Sequence, residues 1–216
     1  YGLSTAAHHS DRPYPMFMNV PGLKIMVPAS PTDAKGLLRT AIDMDDPVLS
    51  FEACLLWGMK EDIEDGEFRI PFGVARTVRQ GTDVTIVAIS SAVPQAVLAA
   101  QILETEGISA EIIDPRTLVP LDSLAILNSV ARTGRLVIAD PANRTCGAAA
   151  EISAIVSELA FDCLRAPIIR VTTPDTHIPF SPAIEKQLYP DSIKIAEAVR
   201  KVTSARIGAG APARMN

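Results

Sequence analysis

Three histidines are spread thinly over 216 residues, and two of them stand together as His8-His9, followed by Ser10-Asp11. An imidazole titrates near neutrality, so a histidine in a turn-rich loop is a candidate acid–base group. His8, His9 and Asp11 also have the chemistry of metal ligands. The remaining histidine, His177, lies far along the chain, and a solvated polar loop is the favoured reading as far as metal goes. Asp114-Pro115-Arg116-Thr117 follows an apolar run, where open α/β sheets hold ligands. Arg116 is a candidate for binding an anion or for pairing with a carboxylate at a subunit interface, and pairing is favoured. Asn143-Arg144-Thr145-Cys146-Gly147 joins an apolar run to a helical pattern, so its backbone N–H groups are candidates for an anion. Cys146 has no clear histidine partner, and the inert reading is favoured over a nucleophile. Pro174-Asp175-Thr176-His177-Ile178-Pro179-Phe180-Ser181-Pro182 is too rich in proline for helix or strand and reads as a rigid surface loop leading into an interface. No G-x-G-x-x-G follows a strand, and neither a P-loop nor a G-x-S-x-G elbow occurs.

These groups need elements to hold them. The first twenty residues show no period of 2 or 3.6 and read as a loop, with a short helix around Met16 to Met18. Leu23 to Val27 reads as a strand. Ser30-Pro31-Thr32-Asp33 starts a helix: Ser30 caps, Pro31 suits the first position, and Asp33 takes the acid's place in a capping box. Ala34, Leu37, Leu38, Ala41 and Ile42 form its apolar stripe, and Asp45-Asp46-Pro47 ends it. Val48 to Glu52 is a second strand, so this stretch predicts a βαβ unit with a parallel pair. Residues 58–72 are acidic, have little that could pack, and read as a linker.

Beyond it, strands are expected at Val74–Val78, Val84–Ile89, Ala110–Ile113, Leu136–Ala139 and Ile168–Val171. Helices are expected with inward stripes Val93/Ala96/Val97/Ala100/Leu103, Leu124/Leu127/Ala131, Ala149/Ile152/Val156/Leu159/Ala160 and Ile195/Val199/Val202. Asp122 caps the second of these and Gly134 closes it; Asp191 caps the last. The alternation predicts an α/β fold of mostly parallel sheets with helices on both faces. Residues 204–216 are expected to form a disordered tail.

The composition excludes several classes. Apolar residues make up 48% and charged residues 21%, as in globular chains. The net charge of −5 argues against partners that need a basic face, such as nucleic acid or an anionic membrane surface. No apolar run approaches the ~18 residues of a membrane span. Three scattered cysteines make no disulfide framework, and a reducing compartment is expected, the cytoplasm or, in a eukaryote, the mitochondrial matrix. The chain opens on Tyr1, as a processed chain or the later part of a longer polypeptide would.

Four stretches stand in order: Val20-Pro21-Gly22-Leu23-Lys24, Pro28 to Leu38, Ile113 to Asp122, and Pro179-Phe180-Ser181-Pro182. As a set they resemble the beta subunit of the thiamine-diphosphate-dependent decarboxylating component of 2-oxo acid dehydrogenase complexes, a branch of the transketolase superfamily that includes the pyruvate, branched-chain and acetoin types. The resemblance covers about residues 1–203. It implies that residues 1–57 are the C-terminal part of a pyrimidine-binding domain, that 58–72 link it onward, and that 73–203 form a transketolase C-terminal-type domain.

The resemblance also implies chemistry. His9-Ser10 matches the family's His-Ser-Gln run, with Asp11 in place of the glutamine; His9 is then the catalytic residue, near the reactive end of the cofactor. Thiamine diphosphate and magnesium are implied to bind mainly to an alpha subunit and to an earlier part of the beta chain, and no metal ligand is assigned here. Arg116, Asp175 and Phe180 are implied interface residues. The implied partners are the alpha subunit, a second beta subunit and the lipoyl acyltransferase core. Asp140-Pro141-Ala142 and Thr145 to Ala149 depart from the family's acid- and glycine-containing stretches, and Met44 stands where some members contribute to a potassium site, so that ion is not expected. Two rival readings are ketol transfer on sugar phosphates, as in transketolase itself, and a non-catalytic assembly domain.

Overall fold

The computed structural model describes residues 2–63 and 65–205. The first elements are a 3-10 turn Ala7–His9 and a one-turn helix α1 (Tyr14–Phe17). Strand β1 (Lys24–Met26), helix α2 (Pro31–Ile42) and strand β2 (Val48–Ser50) form the expected βαβ unit, with Lys24 paired to Val48 in parallel register. Ser30 caps α2 by accepting the Asp33 amide at 3.1 Å, and its hydroxyl donates to the Asp33 carboxylate at 2.8 Å. The predicted stripe on α2 is half right: Leu37 is buried, whereas Leu38 and Ile42 face outward. The inward face instead includes Asp33, which meets Arg116 and Arg76, and Gly36, against which the crossing segment packs at Ile70.

That crossing is the stretch read as a bare linker. Among its described residues it holds no regular element after the 3-10 turn Cys54–Leu56, but its later part is packed. Ile70 is buried with Met26 and Leu37, and Phe68 and Phe72 lie against that cluster. The Ile70 amide donates to Gly36 O at 3.1 Å, and the Thr40 hydroxyl donates to Ile70 O at 2.8 Å.

The second sheet has five strands: β3 (Arg76–Arg79), β4 (Val84–Ala88), β5 (Ala110–Asp114), β7 (Leu136–Asn143) and β8 (Ile169–Thr173). Their order is β3-β5-β4-β7-β8, parallel except for the edge strand β3. Helices α3 (Ala92–Glu104) and α7 (Ser192–Ser204) cover one face; α4 (Ser123–Thr133) and α5 (Ala148–Leu159) cover the other. The predicted α/β architecture with helices on both faces is therefore present. Helix α7 reaches Ser204, the first residue of the expected tail; residues 206–216 of that tail, like Tyr1, lie outside the described residues.

Four differences stand out. Strand β6 (Thr117–Val119) was unread; it leaves the second half of the chain and pairs antiparallel with β1, making the first sheet β2-β1-β6. Its three residues are too few for a period to show. Helix α4 has the predicted Asp122 cap and left-handed Gly134 close, but Leu124 and Ala131 face out, and Leu127 is half-buried. Ile126, Ser129, Val130 and Thr133 face in, because Thr85 and Glu111 below supply polar partners for the two hydroxyls. On α5, Leu159 is exposed where it was expected inside. The proline-rich loop also contains a one-turn helix α6 (Pro182–Glu185), with Pro182 in its first turn, where a missing N–H costs nothing.

Candidate active site at the His9 loop

Residues 4–14 run between the two sheets. Ser4 and Ala6 both hold left-handed backbone angles (φ 56° and 62°), which non-glycine residues rarely adopt and which surrounding contacts must enforce. The 3-10 turn follows, closed by the Ser10 amide on Ala7 O at 3.1 Å. From His9 to Tyr14 burial alternates. Ser10, Arg12 and Tyr14 are buried; His9 and Asp11 are exposed, and Pro13 is half-buried. The segment thus has a two-residue period after all. Hydropathy did not show it because the inward residues are Ser, Arg and Tyr.

Each inward side chain meets the second half of the chain. The Tyr14 hydroxyl donates to Asp140 Oδ1. The Arg12 guanidinium lies 4.8 Å from the centre of the Tyr189 ring, and its Nη2 is 3.5 Å from Thr173 Oγ1. Upstream, Glu185 receives the Gly2 amide at 2.7 Å, the Ser4 amide at 2.8 Å and the Tyr189 hydroxyl at 2.6 Å. Burial pushes the Glu185 carboxyl up, but these three donors outweigh it and hold it below the usual carboxylate range. Burial, with Glu185 as acceptor, raises the Tyr189 phenol. Asp140 is wholly buried, which raises its carboxyl, opposed by the Tyr14 hydroxyl and the Ala142 and Ala149 amides.

On the outward side a cavity of about 250 Å³ opens, lined by His9, Asp11, Tyr14, Phe51, Glu52 and Cys54 among others. Phe51 extends from β2 and meets Tyr14 edge-on, ring centres 5.7 Å apart. The His8 and His9 rings are 4.3 Å apart. The arrangement is a small mouth with an imidazole and two carboxylates on a braced loop, which suits proton transfer to a substrate held in front of it.

The other residues singled out in the sequence do not gather here. His177 is exposed on the loop after β8, and among the described residues no group of three His, Cys, Asp or Glu side chains could hold a metal ion. Cys146 is exposed in a left-handed turn before α5. Arg116 Nε donates to Asp33 Oδ1 at 2.7 Å, so its carboxylate partner lies within this chain, and Arg76 stands 3.6 Å from the same carboxylate. Asp175 accepts from the Thr145 amide at 3.0 Å and hydroxyl at 2.6 Å, which hold it below its usual range. Phe180 is 72% exposed. Sequence reasoning missed Tyr14, Asp140, Glu185 and Tyr189; the one available signal was an acid, Asp140, straight after the apolar run Leu136–Ala139.

Two halves, two sheets and an exposed histidine between them define a class. The transketolase C-terminal domain family matches residues 73–195 and the transketolase pyrimidine-binding domain family matches residues 1–53; the chain belongs to the transketolase family. Within it, the chain is similar to two kinds of beta subunit. It is 46% identical to the acetoin:2,6-dichlorophenolindophenol oxidoreductase subunit beta of Bacillus subtilis over 90% of this chain and 57% of that protein. It is 40% identical to the pyruvate dehydrogenase E1 component subunit beta of Acholeplasma laidlawii over 95% of this chain and 63% of that protein. The chain thus spans about three fifths of the relatives it matches. Among solved structures, a split-gene transketolase described as an inactive beta4 tetramer aligns with a TM-score of 0.76 over 93% of this chain and 64% of that one, at 24% identity, and supports the fold alone.

Proposed function

We propose that the chain is the beta-type part of a thiamine-diphosphate-dependent 2-oxo acid dehydrogenase component, which decarboxylates a 2-oxo acid oxidatively and passes the acyl group to lipoamide. The observation that carries this reading is the likeness to acetoin and pyruvate beta subunits over at least 90% of the chain. In this reading residues 1–57 end a pyrimidine-binding domain and 73–203 form the C-terminal domain. The family likeness assigns the magnesium and diphosphate end of the cofactor mainly to the alpha subunit and to a part of the beta chain before Tyr1; among the described residues no group of three His, Cys, Asp or Glu side chains could hold the metal. When bound, thiamine diphosphate supplies the electron sink that decarboxylation needs.

This chain's contribution is the mouth of the site. His9 holds or delivers a proton at the reacting oxygen of the substrate. Phe51 and Tyr14 wall the cavity and exclude water behind it. A sugar-phosphate substrate is disfavoured: of the described residues lining this cavity, Arg12 is the one Lys or Arg, and it is turned inward onto Tyr189 and Thr173, while Asp11 and Glu52 add negative charge. Phe180 is assigned to the contact with a second beta subunit. Asp175 and Arg116 shape that surface through Thr145 and Asp33. The acyltransferase core is the further partner, and the compartment is the cytoplasm or the mitochondrial matrix.

The test is turnover by the full-length polypeptide co-expressed with its alpha partner, on pyruvate and branched-chain 2-oxo acids, with acetoin, which has no carboxylate to lose, assayed separately, and with a dye as electron acceptor. Thiamine-diphosphate-dependent turnover that falls about 10²- to 10⁴-fold in His9→Ala is expected. Turnover on ketose phosphates or on acetoin, and on no 2-oxo acid, would overturn the reading.

A further inference from the structure

The carboxylate of Asp140 is held by donors from three directions. Oδ1 accepts the Tyr14 hydroxyl and, at 2.9 Å, the Ala142 amide; Oδ2 accepts the Ala149 amide at 3.0 Å, in the first turn of α5. A buried carboxylate needs such partners to offset its lost hydration, so its position is tightly determined. The backbone closes tightly around it: a Cβ added at Gly147 would stand 2.5 Å from Asn143 O and 3.5 Å from Asp140 Oδ2. Tyr14 brings the other end of the contact. It lies five residues after His9, its ring is 2% exposed, and Ser10 and Arg12 between them are also buried. Little slack separates a fixed carboxylate in the second sheet from the imidazole at the cavity mouth.

We propose that Asp140 is a positioning residue for the reaction assigned above, acting through the Tyr14 hydroxyl to set where the His9 loop stands over the cavity. The proposal rests on His9 being the proton-transfer group. It makes Tyr14 the lever and Asp140 the fixed point, with neither touching substrate through the atoms that join them. A misplacement of about 1 Å in a reacting group is enough to cost about 10²-fold in rate, so a single hydroxyl can govern turnover without contacting substrate.

Tyr14→Phe is the informative variant, because it keeps the ring against Phe51 and removes only the hydroxyl. Three measurements on the full-length polypeptide decide the matter. Amide exchange over residues 6–13 is expected to rise about tenfold while β7 and α5 stay unchanged, as local opening without global loss would give. In the complex with the alpha subunit, kcat is expected to fall about 10- to 100-fold with KM within about twofold. In a His9→Ala background the same change is expected to cost nothing further, since the lever then moves nothing that reacts. Asp140→Ala, which removes all three acceptors, is expected to raise exchange over residues 6–13 as Tyr14→Phe does and, unlike it, in the first turn of α5 as well. Unchanged exchange over residues 6–13, or an equal fractional loss of kcat with and without His9, would overturn the proposal. A wild-type complex that turns over no 2-oxo acid would instead sink the decarboxylase reading, and the exchange comparison would still decide the anchor.

Discussion

Asp114 closes β5 with its carboxyl buried. Oδ1 accepts the Arg116 amide at 2.9 Å, and Oδ2 has no hydrogen-bond partner among the described residues. Burial is the main reason its pKa rises from 3.8 to about 7; the nearby Asp33 charge adds to the rise, and Arg116 and Arg76 oppose it. The folded state therefore binds this proton more tightly than the unfolded chain does. Its contribution to stability is full below the ordinary aspartate value and is lost as pH climbs through about 7. Urea unfolding should give a higher midpoint at about pH 5 than at about pH 8, and Asp114→Asn should shrink that difference. Asp140 shifts in the same direction and leaves a remainder. Only part of this cluster could be read beforehand. Asp33 was legible as a capping acid and Arg116 as a pairing cation, but they stand 83 positions apart, and nothing local links them.

Helix α4 makes the same point at the scale of an element. Its cap, length and C-terminal glycine were all legible, because each is a local signal. Its inward face was not, because Thr85, Ser129, Thr133 and Glu111 make a polar seam under the helix that a hydropathy stripe reads as surface. Thr85 Oγ1 lies 2.6 Å from the Ser129 hydroxyl and 2.8 Å from that of Thr133, and Glu111 is bonded by Ser129 and by Arg132 at 2.6 Å. Ser129→Ala should cost about 1–3 kcal/mol in denaturant unfolding, since it strips a buried carboxylate and a buried hydroxyl of a partner at once. An unchanged midpoint would mean water replaces the lost hydroxyl. The His9 segment failed to read for a related reason: its inward row of Ser10, Arg12 and Tyr14 is anchored by polar contacts, and a pattern search weighs only apolar ones.

Across the whole molecule, Glu185 joins the beginning of the described chain to its C-terminal part through Gly2, Ser4 and Tyr189. Because these donors hold its carboxyl below the usual range, the clasp's contribution is full above that range and is lost as pH falls beneath it, through the lowered value. Glu185→Ala should speed protease cleavage next to Leu3, which is already 55% exposed, while cleavage within α7 stays slow. Equal rates for variant and wild type would show that Tyr14 and Arg12 hold the segment without it. The architecture itself, strand alternating with helix and both faces of a sheet covered, followed from periodicity. The assembly of the His9 mouth did not, because it depends on contacts such as Tyr14 with Asp140 that join residues 126 positions apart.

Strand β6 also sets an order in time. Strand β1 ends at Met26, and the partner for its second edge, Met26 with Thr117, leaves the ribosome 91 residues later. At about 5–20 residues per second, that edge stays open for roughly 5–18 s of synthesis. The backbone groups of Ile25 and Met26 on that edge have no strand partner for that interval. The nascent chain thus spends those seconds with a strand edge unpaired, the state in which chaperone binding or pairing with a neighbouring nascent chain competes most directly with folding.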